Sequence, residues 1–224
     1  MSVRLQFDRI PPGVEIGPHA HGVETIVYVA AGELVVHHGE DLERRTVVHA
    51  GDVLYEAPAE HHLVRNEGRI DALALVAADP DPVEPGILLR SWDQPGDPVR
   101  RRSGARVVEA DGIRRHMLVT PGDFGTRTFA VEEVELQPGV VDDWHRHPGA
   151  EHALVVFEGR GVITVGRIIE TLEPLKGIRI EAGLAHRVEN SGRTLLRYYV
   201  CGTPGTDMLA DRERVAAPRR GIEH

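Results

Sequence analysis

The residues best suited to chemistry in this chain are its histidines. His145-Arg146-His147 is followed by His152 and, 34 residues later, by His186, and a thinner copy, His19, His21 and His62, lies upstream. A neutral imidazole is a ligand for divalent transition metals. Two of them spaced by one residue on a strand share a face, because side chains alternate with period two. His186 precedes Asn190 by four positions, just as His62 precedes Asn66, so each half offers a further histidine from a hairpin that can face the pair. The implied chemistry is metal binding by His145, His147, His152 and His186 in the second half, and by His19, His21 and His62 in the first. Arg179, on the strand before His186, is a candidate for gripping a substrate carboxylate bidentately. Arg197 and Tyr199 share one face of the last strand, Tyr198 and Val200 the other, and Arg197 and Tyr199 are taken as pocket candidates. His37, His38, His49, His61, His116 and His224 read as ordinary hydrogen-bonded or surface residues. Catalytic residues beyond the metal ligands are not apparent: the sequence has no Ser/His/Asp arrangement, no phosphate loop and no redox cysteine pair.

The elements that must carry these residues repeat. Gly13 precedes His19 by six positions, Gly139 precedes His145 by six, and the landmarks of the two copies lie 124 to 127 residues apart. A chain of 224 residues can bury two cores of roughly 100 residues each, and the repeat selects two. Val, Ile and Leu come in short runs broken by glycine and proline, which predicts an all-β chain. Strands are predicted at 3–9, 25–31, 33–38, 46–49, 53–56, 63–66 and 72–77 in the first half, with another through His19 and His21. The second half predicts strands at 129–136, 153–157, 162–165, 177–181, 187–190 and 195–201, with another through His145 and His147. The domains are read as 1–90, a linker at 91–104, a second domain at 105–207 and a tail at 208–224 that forms a short exposed helix over 208–218.

Composition narrows the partners. The net charge of −9 argues against nucleic acid, whose phosphates demand a basic surface, and Arg100-Arg101-Arg102 reads as a solvated linker. No apolar run approaches the roughly 18 residues of a membrane span, and Met1-Ser2-Val3-Arg4 opens no signal peptide, so a cytoplasmic location is expected. The one cysteine, Cys201, forms no internal disulfide and reads as a small buried hydrophobe. One lysine among many arginines points to a high-GC bacterial genome. Edge strands make a homo-oligomer, a dimer first, the expected assembly.

The stretch Gly139-(X)5-His145-X-His147-(X)4-His152-(X)6-Gly159, with Glu181-Ala-Gly183-(X)2-His186-(X)3-Asn190, resembles the two signature motifs of the cupin superfamily. The first half is similar: Gly13-(X)5-His19-X-His21 up to Gly32, then Gly51-(X)5-Ala57-Pro58-Ala59-(X)2-His62-(X)3-Asn66. The resemblance covers nearly all of the chain and implies a bicupin, two tandem jelly-roll β-barrels, each holding one divalent transition metal, with Fe(II) favoured and Mn(II), Ni(II) or Zn(II) as alternatives. In that family a Glu or Gln ligand stands seven positions before the glycine that ends its strand. His152 holds the place in the second half and Thr25 in the first, where the neighbouring Glu24 is turned away by strand alternation unless a bulge intervenes. An all-imidazole set leaves the cation's full charge to bind an anionic substrate or polarise oxygen. The expected function is therefore a small-molecule enzyme of dioxygenase type, with substrate at the C-terminal barrel metal. The alternatives are redox-neutral isomerase, lyase or hydrolase chemistry, or a binding module without catalysis.

Overall fold

The computed structural model describes residues 4–39, 41–78, 97–126 and 128–218. It divides into two compact units: residues 1–105 with 122–128, and residues 106–121 with 129–224. The first unit contains β1 (Arg4–Ile10), β2 (Glu15–His19), β3 (Thr25–Ala31), β4 (Glu33–His38), β5 (Arg44–His49), β6 (Val53–Glu56), β7 (His62–Arg65), β8 (Ala72–Ala78) and β9 (Val99–Arg100). The second contains β10 (Arg106–Ala110), β11 (Ile113–Val119), β12 (Ala130–Leu136), β13 (Val141–Arg146), β14 (Glu151–Glu158), β15 (Gly161–Val165), β16 (Ile168–Leu172), β17 (Gly177–Ile180), β18 (His186–Glu189), β19 (Leu196–Thr203) and β20 (Glu213–Arg214). Apart from short 3₁₀ turns, no helix occurs among the described residues, and none is long and apolar enough to cross a membrane.

Each unit is a two-sheet jelly roll. The first orders its strands β1-β8-β3-β6-β9 and β2-β7-β4-β5, and the second β10-β11-β12-β19-β14-β17 and β16-β15-β18-β13-β20. The cores sit between the sheets: Val27, Val29, Leu34, Val36 and Leu54 in the first, Leu154, Val156, Ile163, Leu172 and Tyr198 in the second. The central strands β3 and β19 are buried on both faces, so they read as continuous apolar runs rather than alternating ones.

The repeat is visible in how the turns are held. Gly13 and Gly139 adopt φ of +78° and +79°, and their N–H groups donate to the carbonyls of Asn66 and Asn190 at 2.8 and 2.9 Å. The side chain of Asn66 donates to the carbonyls of Ile10 and Ile70 at 2.7 and 2.8 Å, and that of Asn190 to Leu136 and Thr194 at 2.8 and 2.9 Å. The asparagine of each second motif is thus a buried lock between strands. Gly32 and Gly159 end β3 and β14 at positive φ, and a Cβ there would come within 2.7 Å of the Asp71 carbonyl oxygen and 2.2 Å of that of Leu195.

Two elements differ from the sequence expectations. Of the expected linker, Val99 and Arg100 pair with β6, and Arg101 bonds Asp52 at 2.9 Å, so this stretch is built into the first unit; residues 91–96 lie outside the described residues. Residues 208–218 form no helix: β20 pairs with β13 and Met208 is 1% exposed, because the segment has an apolar side chain to bury and a strand edge to complete.

Candidate metal centres

The histidines converge because of a shared irregularity. In β2 and β7 the pairing runs Glu15↔Arg65 and Ile16↔Val64, then shifts so that His19 faces His62. In β13 and β18 it runs Val141↔Glu189 and Asp142↔Val188, then shifts so that His145 faces His186. Each shift is a one-residue bulge, which re-aims the side chain that follows it. The X-spaced pairs do not share a strand as alternation implied: β2 ends at His19 and β13 at Arg146, so His21 and His147 approach from the following turn. Their rings accordingly stand at 87° and 86° to those of His19 and His145.

Four rings fix their own tautomer in one way. The Nδ1–H of His19, His62, His145 and His186 donates to the carbonyl two residues earlier, of Gly17, Glu60, Asp143 and Leu184, at 2.9, 2.9, 2.7 and 3.0 Å. That leaves each Nε2 with a free lone pair, the arrangement of a metal-bound histidine. The ligand atoms of His19, His21 and His62 lie within 4.8 Å of one another, and so do those of His145, His147 and His186. His152, on β14, is placed beside this second trio, its ring 4.1 Å from His147 and 6.4 Å from His186. Buried nitrogens without a hydrogen-bond partner remain at His62 Nε2, His147 Nδ1 and His152 Nε2. Buried nitrogens left unsatisfied in or beside these clusters fit a bound cation in each barrel.

The surroundings of the two centres differ. Burial holds the second set neutral, with neighbouring imidazoles and the Arg212 guanidinium adding to the effect: His145 and His152 are pushed down to about 3, and His147 and His186 also fall below their ordinary value. In the first barrel burial likewise lowers His62, but the carboxylate of Glu56 raises His21. Glu56, on β6, was not among the sequence candidates. Its Oε2 lies 3.2 Å from His21 Nε2 and its Oε1 3.3 Å from His62 Nε2, and it is 5% exposed. It stands opposite Thr25 in the β3/β6 ladder. The signal available in sequence was an acid closing the otherwise apolar strand Val53–Glu56. Glu24 is turned away, as alternation predicts, and accepts from Tyr55 Oη at 3.0 Å and Thr126 Oγ1 at 2.9 Å.

The pocket candidates of the second half are corrected. Tyr198 and Val200 face the core and the histidines, so Arg197 and Tyr199 point to the opposite face, where Arg197 pairs with Glu133 and Glu158 at 3.8 and 3.6 Å. Arg179 is directed outward, its neighbour Ile180 inward, and it bonds Glu151 at 2.7 Å. Room for substrate at the second centre is missing as well. The cavity there is about 20 Å³, enough for one ion or water, against about 440 Å³ beside His19, His21 and Glu56. A buried ionic cluster occupies the second barrel: Arg115 bonds Glu132 at 2.8 Å and also Asp142, and Arg212 bonds Asp142. Burial pushes Asp142 up, but the two guanidiniums outweigh it and hold the carboxyl below its ordinary value.

Solved structures with this arrangement of strands include oxalate decarboxylase of Bacillus subtilis at pH 4.6, with a TM-score of 0.76, 15% identity, and coverage of 91% of this chain and 68% of that one. A structure of the same Bacillus subtilis enzyme described for its Mn(II) centres gives 0.75, 16%, 91% and 69%. The formate complex of Lactobacillus farciminis oxalate decarboxylase gives 0.76, 14%, 91% and 77%. At these identities the likeness shows a shared fold. No curated protein matches the chain in sequence. The cupin domain family matches it twice, over residues 6–77 and 132–202, the two segments that carry the histidine clusters, and the chain belongs to that family as a bicupin.

Proposed function

We propose that this bicupin is a metal-dependent enzyme acting on a small organic molecule, with one divalent transition-metal ion in each barrel. The observation that carries it is the convergence of Nε2 atoms whose Nδ1–H groups are already committed to backbone carbonyls. His19, His21 and His62 with Glu56 would hold the first ion, and His145, His147, His186 and His152 the second. A bound cation supplies Lewis acidity and, if it is Fe(II), a site for oxygen. The protein's part is to hold the imidazoles neutral and oriented and to keep water from the second centre, where the ring atoms are buried.

Within this reading we favour Fe(II) and a dioxygenase, because imidazoles predominate at both centres and the open first one leaves room for a substrate beside its ion. A redox-neutral lyase with Mn(II) is favoured instead by Glu56 in the first centre, together with the shared fold of the Mn(II) oxalate decarboxylases. Elemental analysis of the purified protein is expected to find two transition-metal ions per chain. Anaerobic loading with Fe(II), followed by oxygen-uptake assays on catechols, 1,3-diketones and 2-oxo acids, is expected to show turnover. Turnover under nitrogen with Mn(II) would select the lyase instead, and a protein that takes up no metal would remove the proposal. The same reading carries a cytoplasmic setting, supported by the lone unpaired Cys201, and self-association as a dimer, which light scattering tests.

A further inference from the structure

The two barrels are built from equivalent strands, yet one is open and the other filled, and the cause can be read position by position. In the ladder of β1 with β8, Gln6 faces Val76 and Asp8 faces Ala74; in the ladder of β12 with β19, Glu132 faces Val200 and Val134 faces Tyr198. Ala74 therefore stands where the second barrel has the buried Tyr198. Likewise Ile16, opposite Val64, stands where the second barrel has Asp142, opposite Val188. Arg115 comes from β11 and Arg212 from the segment leading into β20, strands to which the described part of the first barrel has no equivalent. Removing a tyrosine ring, a carboxylate and two guanidiniums leaves the cavity of about 440 Å³, within the roughly 300–1,000 Å³ of small-molecule sites.

The lining of that cavity selects its occupant. Its walls are Ile10, Val27, Leu34, Leu54, Val64 and Val76, and Val14 and Ile16 remain 40% and 39% exposed at its mouth. Its polar lining is the cluster of His19, His21 and Glu56, backed by His62, which can hold an ion, together with Gln6, Asp8 and Arg9 of β1. The contacts of 3.2 and 3.3 Å from the Glu56 oxygens to His21 and His62 Nε2 match the separation of about 3.0–3.4 Å between ligands that each sit roughly 2.1 Å from one ion. With three neutral imidazoles and one carboxylate, a divalent cation retains a single positive charge, which suits a monoanion. A second anionic group would meet Asp8, which also lines the cavity, while the one lining guanidinium, Arg9, is already paired with Asp71 and 71% exposed at its side chain.

Resting on the metal-dependent reading above, we infer that the N-terminal barrel is the substrate site. Its metal is held by a carboxylate delivered from β6 by Glu56 in place of the β3 position occupied by Thr25. Its substrate is a monoanionic oxygen donor with an apolar aromatic or aliphatic body, not a small dianion. The second barrel's ion is enclosed and meets no organic ligand.

The test uses the full-length, metal-loaded protein with 4-nitrocatechol, whose visible spectrum shifts on coordination, and oxalate as the small dianion. Wild-type protein is expected to bind one equivalent of 4-nitrocatechol per chain, with oxalate competing at least tenfold more weakly than catechol itself. Ala74→Tyr, which copies the second barrel, and Leu54→Trp are each expected to weaken the probe at least tenfold while two ions per chain remain; either variant suffices if the other does not fold. Glu56→Gln is expected to leave one ion and no probe shift. His147→Ala, or His152→Gln where the first does not fold, is expected to lose the enclosed ion and keep the shift. The inference is overturned if the probe survives cavity filling and vanishes with His147→Ala, if Glu56→Gln retains two ions, if oxalate outcompetes catechol, or if a two-metal protein ignores the probe. Absence of metal from the wild type would instead sink the underlying enzyme reading.

Discussion

Four of the seven clustered imidazoles orient themselves with the carbonyl two residues back, so their aim depends on the backbone of the turn and needs no helper side chain. This is why the same local geometry recurs in two barrels whose walls differ so much. Asn66 and Asn190 tie strand ends away from those turns, each through three bonds, two given to carbonyls and one taken from a glycine N–H at 2.9 and 3.0 Å. Asn190→Ala strands two buried carbonyls and is expected to cost about 2–3 kcal/mol, read as a lower midpoint in urea unfolding with metal content unchanged. An unchanged midpoint would show that the lock contributes nothing. The histidines and asparagines were legible because they stand at fixed offsets from glycines. Glu56 was not, because spacing along one strand says nothing about the side chain facing it across a ladder, and Thr25 already filled the expected place. For the same reason the pair Arg197 and Tyr199 was chosen over Tyr198 and Val200: alternation divides a strand into two faces without telling which is inside, and β19 is buried on both.

Strands bounded by glycine or proline turns, such as 25–31, 33–38 and 53–56, were readable to the residue, since an apolar β-branched run between turn residues admits little else. The hairpin of β10 and β11 was missed because Arg114-Arg115-His116 looks like surface, although Asp111-Gly112, with φ of +53° and +79°, is a hairpin turn signal. Arg115 is buried there only because Glu132 and Asp142 neutralise it, a tertiary fact that no local pattern carries. The bulges in β2 and β13 were likewise invisible, yet they decide the site. Deleting Gly17 makes the pairing from Ile16↔Val64 to His19↔His62 regular and removes the carbonyl that accepts from His19 Nδ1–H, so that His19 keeps its face but loses the bond that aims its ring. The expected result is loss of one of two metal ions, the one in the first barrel, with the second barrel's ion kept when His147 and His186 are intact. Two ions in the deletion variant would mean that the bulge does not aim the ligand.

The duplication produced two barrels that share a histidine trio and differ in their fourth candidate ligand and in access. His21 is 32% exposed at its side chain, whereas His145, His147, His152 and His186 are all buried. The segment after β19 closes the second barrel: Met208 enters its core, Arg212 reaches Asp142 and β20 extends the sheet beside β13. A chelator should therefore strip the two ions at different rates, because an ion that leaves a sealed core must wait for a local opening. Biphasic loss to excess EDTA is expected, the fast phase belonging to the first barrel and disappearing in Glu56→Gln. Arg212→Ala leaves Asp142 with Arg115 as its remaining guanidinium partner and unties the closing segment, so it should speed the slow phase at least tenfold and leave the fast phase as it is. Its stability cost should stay near 1–3 kcal/mol, since Arg115 still neutralises the buried carboxylate. A single phase in the wild type, or an Arg212→Ala variant whose slow phase is unmoved, would show that the segment from Met208 to β20 covers the second centre without controlling access to it.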